Sequence, residues 1–102
     1  MVSYQNLEVW RKGMELVKEV YKICKSYPRE EIYGLTSQTK RAAVSVPSNI
    51  AEGLGRNFKK DTIQFLHIAR GSLYELETLL YVAIMVEYLK EENFSSCKVI
   101  FE

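Results

Sequence analysis

The 102-residue sequence predicts an all-α fold, an up-down antiparallel bundle of three long helices plus a short or truncated fourth, on two observations. Apolar residues recur at three- and four-residue intervals over three long stretches, the spacing that lines one face of a helix. No stretch alternates convincingly with a period of two, and the connections between the periodic stretches are short, which makes consecutive helices antiparallel neighbours. A chain of this length forms one domain, residues 1–102, able to bury a single core without covalent staples.

The first helix is expected between Tyr4 and Ser26, with Leu7, Trp10, Met14, Val17, Tyr21 and Cys24 on its inner face. Asn6 is placed to cap it, Glu8 falls in the electropositive first turn, and Pro28 stops it after Tyr27. Glu30 and Glu31 then open a second helix whose seam runs through Leu35, Thr39, Ala42, Val46, Ile50 and Leu54. It ends where Gly53 and Gly55 permit left-handed backbone. Asn57 is a candidate cap for the third helix, whose seam of Phe65, Leu66, Ala69, Leu73, Leu76, Leu80 and Ala83 is flanked by Ile68, Leu79, Val82 and Val86. That width makes the third helix the core element. Lys90, Glu91 and Glu92 mark a turn, and Glu92 to Ile100 forms a short fourth helix carrying Phe94, Cys97 and Ile100.

Composition limits the function classes. A content of 47% hydrophobic and 26% charged residues is that of a soluble globular protein, and no segment approaches the roughly 20 apolar residues of a membrane span. The N-terminus lacks the apolar run and small-residue site of a secretory signal, so the expected compartment is the cytoplasm. Cys24 and Cys97 are too few and too far apart for a disulfide framework or a metal-ligand pair, and Cys24 lies on an apolar stripe. The net charge of +1 hides an asymmetry: residues 1–39 carry +1, residues 40–60 carry +4 and residues 61–102 carry −4. Lys40, Arg41, Arg56, Lys59 and Lys60 make up the basic middle block, enough to steer an anionic partner.

"KRAAVSVPSNIAEGLGR", residues 40–56, carries a helix breaker in the middle of a helical pattern. Pro47 has no N–H for the carbonyl of Ala43 and its ring crowds that carbonyl, a penalty of about 3 kcal/mol in an ordinary helix interior. A true break would have Asn49 capping a new segment with Glu52 reaching back to it. The apolar register Ala42, Val46, Ile50, Leu54 passes through the proline without slipping, however, which favours a kinked continuous helix. Ala42, Ala43, Ser45, Ser48 and Ala51 are small and allow a neighbouring helix to approach, with Gly71 and Ser72 as the expected facing pair. Arg41 and Glu52 share a face but lie three turns apart, so each needs a partner elsewhere. Glu75 or Glu77 is the candidate for Arg41, and Arg70 for Glu52, in a polar network that would specify helix pairing or a subunit contact.

Nothing in the pattern points to catalysis. His67, the one histidine, has Gln64 rather than a carboxylate three residues before it, which fails the requirement of a carboxylate-bridged metal bundle. No glycine-rich phosphate loop follows a strand and no nucleophile elbow is present. The protein is expected not to be an enzyme and to carry no cofactor and no metal.

Three segments, "LEVWRKGMELV" (7–17), "YGLTSQTKRAAVSVPSNIAEGLGR" (33–56) and "FLHIARGSLYELETLL" (65–80), resemble the four helix bundle protein family, also called 23S rRNA-intervening sequence proteins. The resemblance covers most of the chain. It implies an all-helical bundle that assembles with itself into a ring, typically a pentamer. Some members are encoded within bacterial large-subunit ribosomal RNA genes. A similar accessory protein of diversity-generating retroelements binds nucleic acid and a reverse transcriptase through a basic surface. Members usually have a long, charged fourth helix, which "ENFSSCKVIFE" (92–102) does not resemble, so more of helices one and three is left for another copy to cover.

Two functional readings follow. In the first, an oligomer gathers copies of the basic residues Lys40, Arg41, Arg56, Lys59 and Lys60 into one surface and holds RNA or DNA by its phosphates, without base readout. No aromatic platform interleaved with these charges is evident in the sequence. In the second, the oligomer is a scaffold that ignores nucleic acid. In both, Pro47, Ser48, Asn49, Glu52, Gly53, Gly71 and Glu75 form the structural motif.

Overall fold

The computed structural model describes residues 4–101. Four helices follow in order, α1 (Glu8–Cys24), α2 (Leu35–Leu54), α3 (Lys59–Met85) and α4 (Glu91–Phe101), with short 3-10 turns at Tyr4–Asn6 and Arg29–Glu31 and no strand among the described residues. The all-α bundle with three long helices is therefore present. α2 packs against both α1 and α3, and α4 packs chiefly against α1. The main core joins Leu16 and Val20 of α1, Ala43 of α2, Leu76 and Leu80 of α3, and Cys97 of α4, all nearly inaccessible to water.

α1 buries Gly13, Leu16, Val20, Ile23 and Cys24. Met14 and Tyr21, expected inside, are 45% and 43% exposed. The buried stripe is rotated by about a quarter turn from the expected seam, along Leu16, Val20 and Ile23, with Gly13 close against Pro47 of α2. Tyr21 sits at the edge, where the Lys40 ammonium lies 4.7 Å from the centre of its ring. The N-cap position is Leu7 and not Asn6, with no side-chain cap. The preceding turn is held by Arg11, whose Nε donates to the carbonyl of Gln5 at 3.0 Å, and by the edge-on contact of Tyr4 with Trp10.

α2 begins at Leu35 and not at Glu30. Glu31 instead serves its first turn from outside: Oε1 accepts the Leu35 N–H at 3.0 Å and Oε2 accepts the Tyr88 hydroxyl at 3.0 Å. The helix runs unbroken through Pro47, so Asn49 caps no new segment. The Asn49 amide turns back to donate to the carbonyl and Oγ of Ser45, at 2.8 and 2.9 Å. The pyrrolidine ring is buried against α1, and a Cβ placed on Gly13 would lie 3.2 Å from Pro47 Cβ. The breaker is thus matched by a glycine on the facing helix, and this packing helps offset the missing hydrogen bond.

The α2–α3 corner departs from expectation in three ways. No described glycine has positive φ, and Gly55 has φ −87°. Gly53 is required for proximity instead: a Cβ there would fall 2.8 Å from Phe65 Cβ and 3.1 Å from the Thr62 carbonyl. The N-cap of α3 is Phe58, not Asn57, and the corner is tied by Thr62 Oγ1 donating to the Gly53 carbonyl at 2.7 Å. Further along, the small residues that meet are Ser45 and Ser72, whose hydroxyls are 2.8 Å apart. Gly71 is exposed, and a Cβ on it would touch nothing within 4 Å.

α3 buries Ala69, Leu76, Leu79, Leu80 and Ala83, whereas Leu66 near its start is 37% exposed. It ends in a Schellman arrangement, with Glu87 at φ 67°, the Tyr88 N–H on the Ala83 carbonyl at 2.8 Å and the Glu87 N–H on the Ile84 carbonyl at 3.0 Å. α4 then buries Phe94 and Cys97, as expected; the Ile100 side chain lies outside what is described. The short α4 covers one end of the α1–α3 channel. At the other end a groove of about 510 Å³ stays open, lined by Val9, Gly13, Val46, Ile50, Leu66 and Ala69 among others.

Candidate nucleic-acid interface

The five basic residues of the middle block occupy two places along α2. Lys40 and Arg41 lie in its second turn, while Arg56 follows its last residue and Lys59 and Lys60 begin α3. Fifteen residues separate Arg41 from Arg56, roughly 22 Å of helix rise. A single chain therefore presents two small groups and not one corner.

The groups differ in how far their charge is engaged. Arg56 is ion-paired to Glu52 at 2.9 Å, both side chains about half-exposed, and its guanidinium lies 4.6 Å from the centre of the Phe65 ring. Glu52 thus pairs along its own helix, not with Arg70 across to α3. Lys40 is half-buried over Tyr21. Arg41, Lys59 and Lys60 are exposed and have no ion-pair partner among the described residues, and Arg41 forms no bond to Glu75 or Glu77. Asp61 in the first turn of α3 offsets part of the Lys59–Lys60 charge.

Arg41 and Glu75 do share an open polar cleft of about 580 Å³ between α2 and α3. Ser37 and Gln38 of α2 stand on one side and Ser45 and Ser72 on its floor, with Tyr33 and Gly34 at the rim. The floor is fixed by the Ser45–Ser72 hydroxyl pair and by the Asn49 amide bonded to Ser45. Ser48, exposed on the same helix, has no hydrogen-bond partner among the described residues.

Two aromatic rings stand beside these charges: Tyr33, 98% exposed at the rim of the Arg41 cleft, and Phe58, 71% exposed between Arg56 and Lys59. The sequence carried a signal for both. Each falls in a turn, outside every apolar seam, next to a helix start. Other large apolar side chains are also uncovered on α3, among them Ile63, Ile68, Tyr74, Tyr81 and Met85.

The remaining candidate chemistry is muted. Among the described residues no three His, Cys, Asp or Glu side chains stand where they could share a metal ion, and His67 is exposed. Both cysteines are buried free thiols. Burial pushes Cys24 up to about 11, partly opposed by Lys40, and pushes Cys97 up to about 11 with the help of Glu19 and Cys24. Such thiols are poor nucleophiles. No helix among the described residues is long and apolar enough to cross a membrane.

Compared with known families, residues 5–102 match the model described as 23S rRNA-intervening sequence protein. No curated protein matches the chain.

Proposed function

The chain belongs to the 23S rRNA-intervening sequence protein family, and from that premise we propose that it is a non-enzymatic homo-oligomer that holds RNA or DNA phosphates on its basic side chains. The observation that carries the reading is that Arg41, Lys59 and Lys60 are exposed without ion-pair partners among the described residues. With Lys40 and Arg56 partly engaged, one chain offers few phosphate contacts, so affinity depends on several copies acting together. The uncovered apolar side chains of α3 and the open groove between α1, α2 and α3 favour such self-association, because another copy would remove them from water. The expected compartment is the cytoplasm.

The test combines light scattering with binding of a labelled RNA and a labelled DNA duplex at low and moderate salt. The reading expects a mass of several 11.9 kDa chains and retention that falls steeply as salt rises. Replacing Arg41, Lys59 and Lys60 together by Ser should abolish retention without changing the mass. A monomer, or failure to retain either nucleic acid at low salt, would rule it out. The second reading, a scaffold without nucleic acid, is favoured by the Glu52–Arg56 pair and by Asp61, which lower the charge of the α2–α3 corner. An oligomer that ignores both probes is its signature.

A further inference from the structure

We infer that the cleft at Tyr33 and Arg41 receives an unpaired nucleotide, so that the protein takes single-stranded nucleic acid in preference to duplex; this rests on the phosphate-binding reading above. Ser37, Gln38 and Arg41 from α2 and Glu75 from α3 line the cleft, and none of these four side chains has a hydrogen-bond or ion-pair partner among the described residues. Polar groups that converge on a cleft without satisfying one another are arranged for a ligand or for water, not for packing. At the rim stands the Tyr33 ring, 98% exposed in the turn before α2. A phenol ring held that far into solvent contributes nothing to the core, yet presents both faces for stacking.

The chemistry of the lining selects the ligand. A nucleotide combines a flat π-face, a hydrogen-bonding base edge and a phosphate. Tyr33 suits the first, the hydroxyl of Ser37, the amide of Gln38 and the carboxylate of Glu75 suit the second, and the Arg41 guanidinium suits the third. In a duplex the base faces are stacked and the pairing edges occupied, so only the phosphate interaction would survive. The Ser45–Ser72 hydroxyl pair ties α2 to α3 beneath the cleft, and the Asn49 amide holds Ser45 from within α2, so the cleft is present without a ligand.

The experiment is fluorescence anisotropy on the full chain, with a labelled single-stranded RNA of about 12 nucleotides and the duplex of the same sequence. Single strand should bind more tightly than duplex. Tyr33→Ala should weaken single-strand binding roughly tenfold with the salt slope unchanged, and Tyr33→Phe should restore it, since stacking needs the ring and not the hydroxyl. Arg41→Gln should instead flatten the salt slope by roughly 0.7, the share of a single phosphate on a single strand. If strand and duplex bind equally and Tyr33→Ala binds like the parent, this inference is overturned while phosphate binding stands. If neither probe is retained at low salt, both fall. Light scattering on Tyr33→Ala supplies the last check: a lower mass would assign the ring to a subunit contact and overturn the inference.

Discussion

Glu31 and Tyr88, 57 residues apart in sequence, are joined by a 3.0 Å hydrogen bond in which the phenol donates to the carboxylate that also caps α2. One side chain thereby ties the start of the second helix to the turn after the third. The bond to Glu31 is also the main reason the Tyr88 phenol is held above its ordinary range, with burial and the charges of Glu31 and Glu30 adding to it. Glu31→Ala removes the cap and the tie together and should cost about 1–2 kcal/mol in urea unfolding. Tyr88→Phe should cost less, and the double variant should be no less stable than Glu31→Ala alone. Additive losses would show that the Tyr88–Glu31 bond adds nothing to stability.

At the far end of α3 the backbone carries a local cost. Glu87 occupies the left-handed position of the Schellman turn, with φ 67°, where glycine is the usual residue. A β-carbon there is disfavoured by roughly 1 kcal/mol or more. Glu87→Gly should therefore raise the unfolding free energy by about 1 kcal/mol, less the extra flexibility that glycine gives the unfolded chain. Thermal melting checks it, and Glu87→Ala, which removes the charge but keeps the β-carbon, should show no comparable gain.

Three helical glycines make a graded series. Alanine at Gly71 meets open space and should stabilise by about 0.5–1 kcal/mol through helix propensity alone. Alanine at Gly53 would fall 2.8 Å from Phe65 Cβ, on a neighbouring helix that has to move, and should destabilise by about 1–3 kcal/mol. Gly13→Ala lies between them, at 3.2 Å from Pro47 Cβ. Its penalty should shrink or reverse once Pro47→Gly removes that Cβ together with the ring. A double-mutant cycle measures that coupling, expected at about 1 kcal/mol. Additivity would mean that the proline and the glycine do not depend on each other.

Much of the molecule was legible in its sequence. Helix number and order followed from periodicity, because long amphipathic stretches fix an element whatever it packs against. Passage of α2 through Pro47 was legible for the same reason, as Val46 and Ile50 keep register on either side of it. The buried face of α1 was legible but misassigned: Leu16, Val20 and Ile23 are as periodic as the stripe through Met14 and Tyr21, and hydropathy alone does not decide which of the two faces the core. Capping was missed throughout. Asn6 and Asn57 have suitable side chains but sit one position away from the N-caps, while the group that does serve α2, Glu31, reaches it from four residues upstream of Leu35. At the candidate site the basic residues were visible as composition, whereas their division into two groups and the meeting of Tyr33 with Arg41 and Glu75 at one cleft required the backbone path.

The buried thiols set a limit at alkaline pH. Cys24 and Cys97 are both raised to about 11, from an ordinary thiol value near 9 in the unfolded chain, chiefly because burial penalises the thiolate. Tyr27, buried beside them with a hydroxyl that has no hydrogen-bond partner, is shifted upward for the same reason and by the charges of Cys24 and Cys97. A raised acid of this kind favours the fold while it remains protonated in both states. Above about pH 9 the unfolded chain loses its thiol protons and the folded chain does not, so the unfolded state binds fewer protons and stability falls as pH rises. The contribution is fully present below pH 9 and is lost progressively up to about pH 11. Urea unfolding measured from pH 8 to 11 should therefore show a declining midpoint. The Cys24→Ala, Cys97→Ala double variant, less stable at pH 8 because two buried side chains are truncated, should decline with a shallower slope over the same interval. Equal slopes would place the alkaline sensitivity in Tyr27 and Tyr88 instead of the thiols.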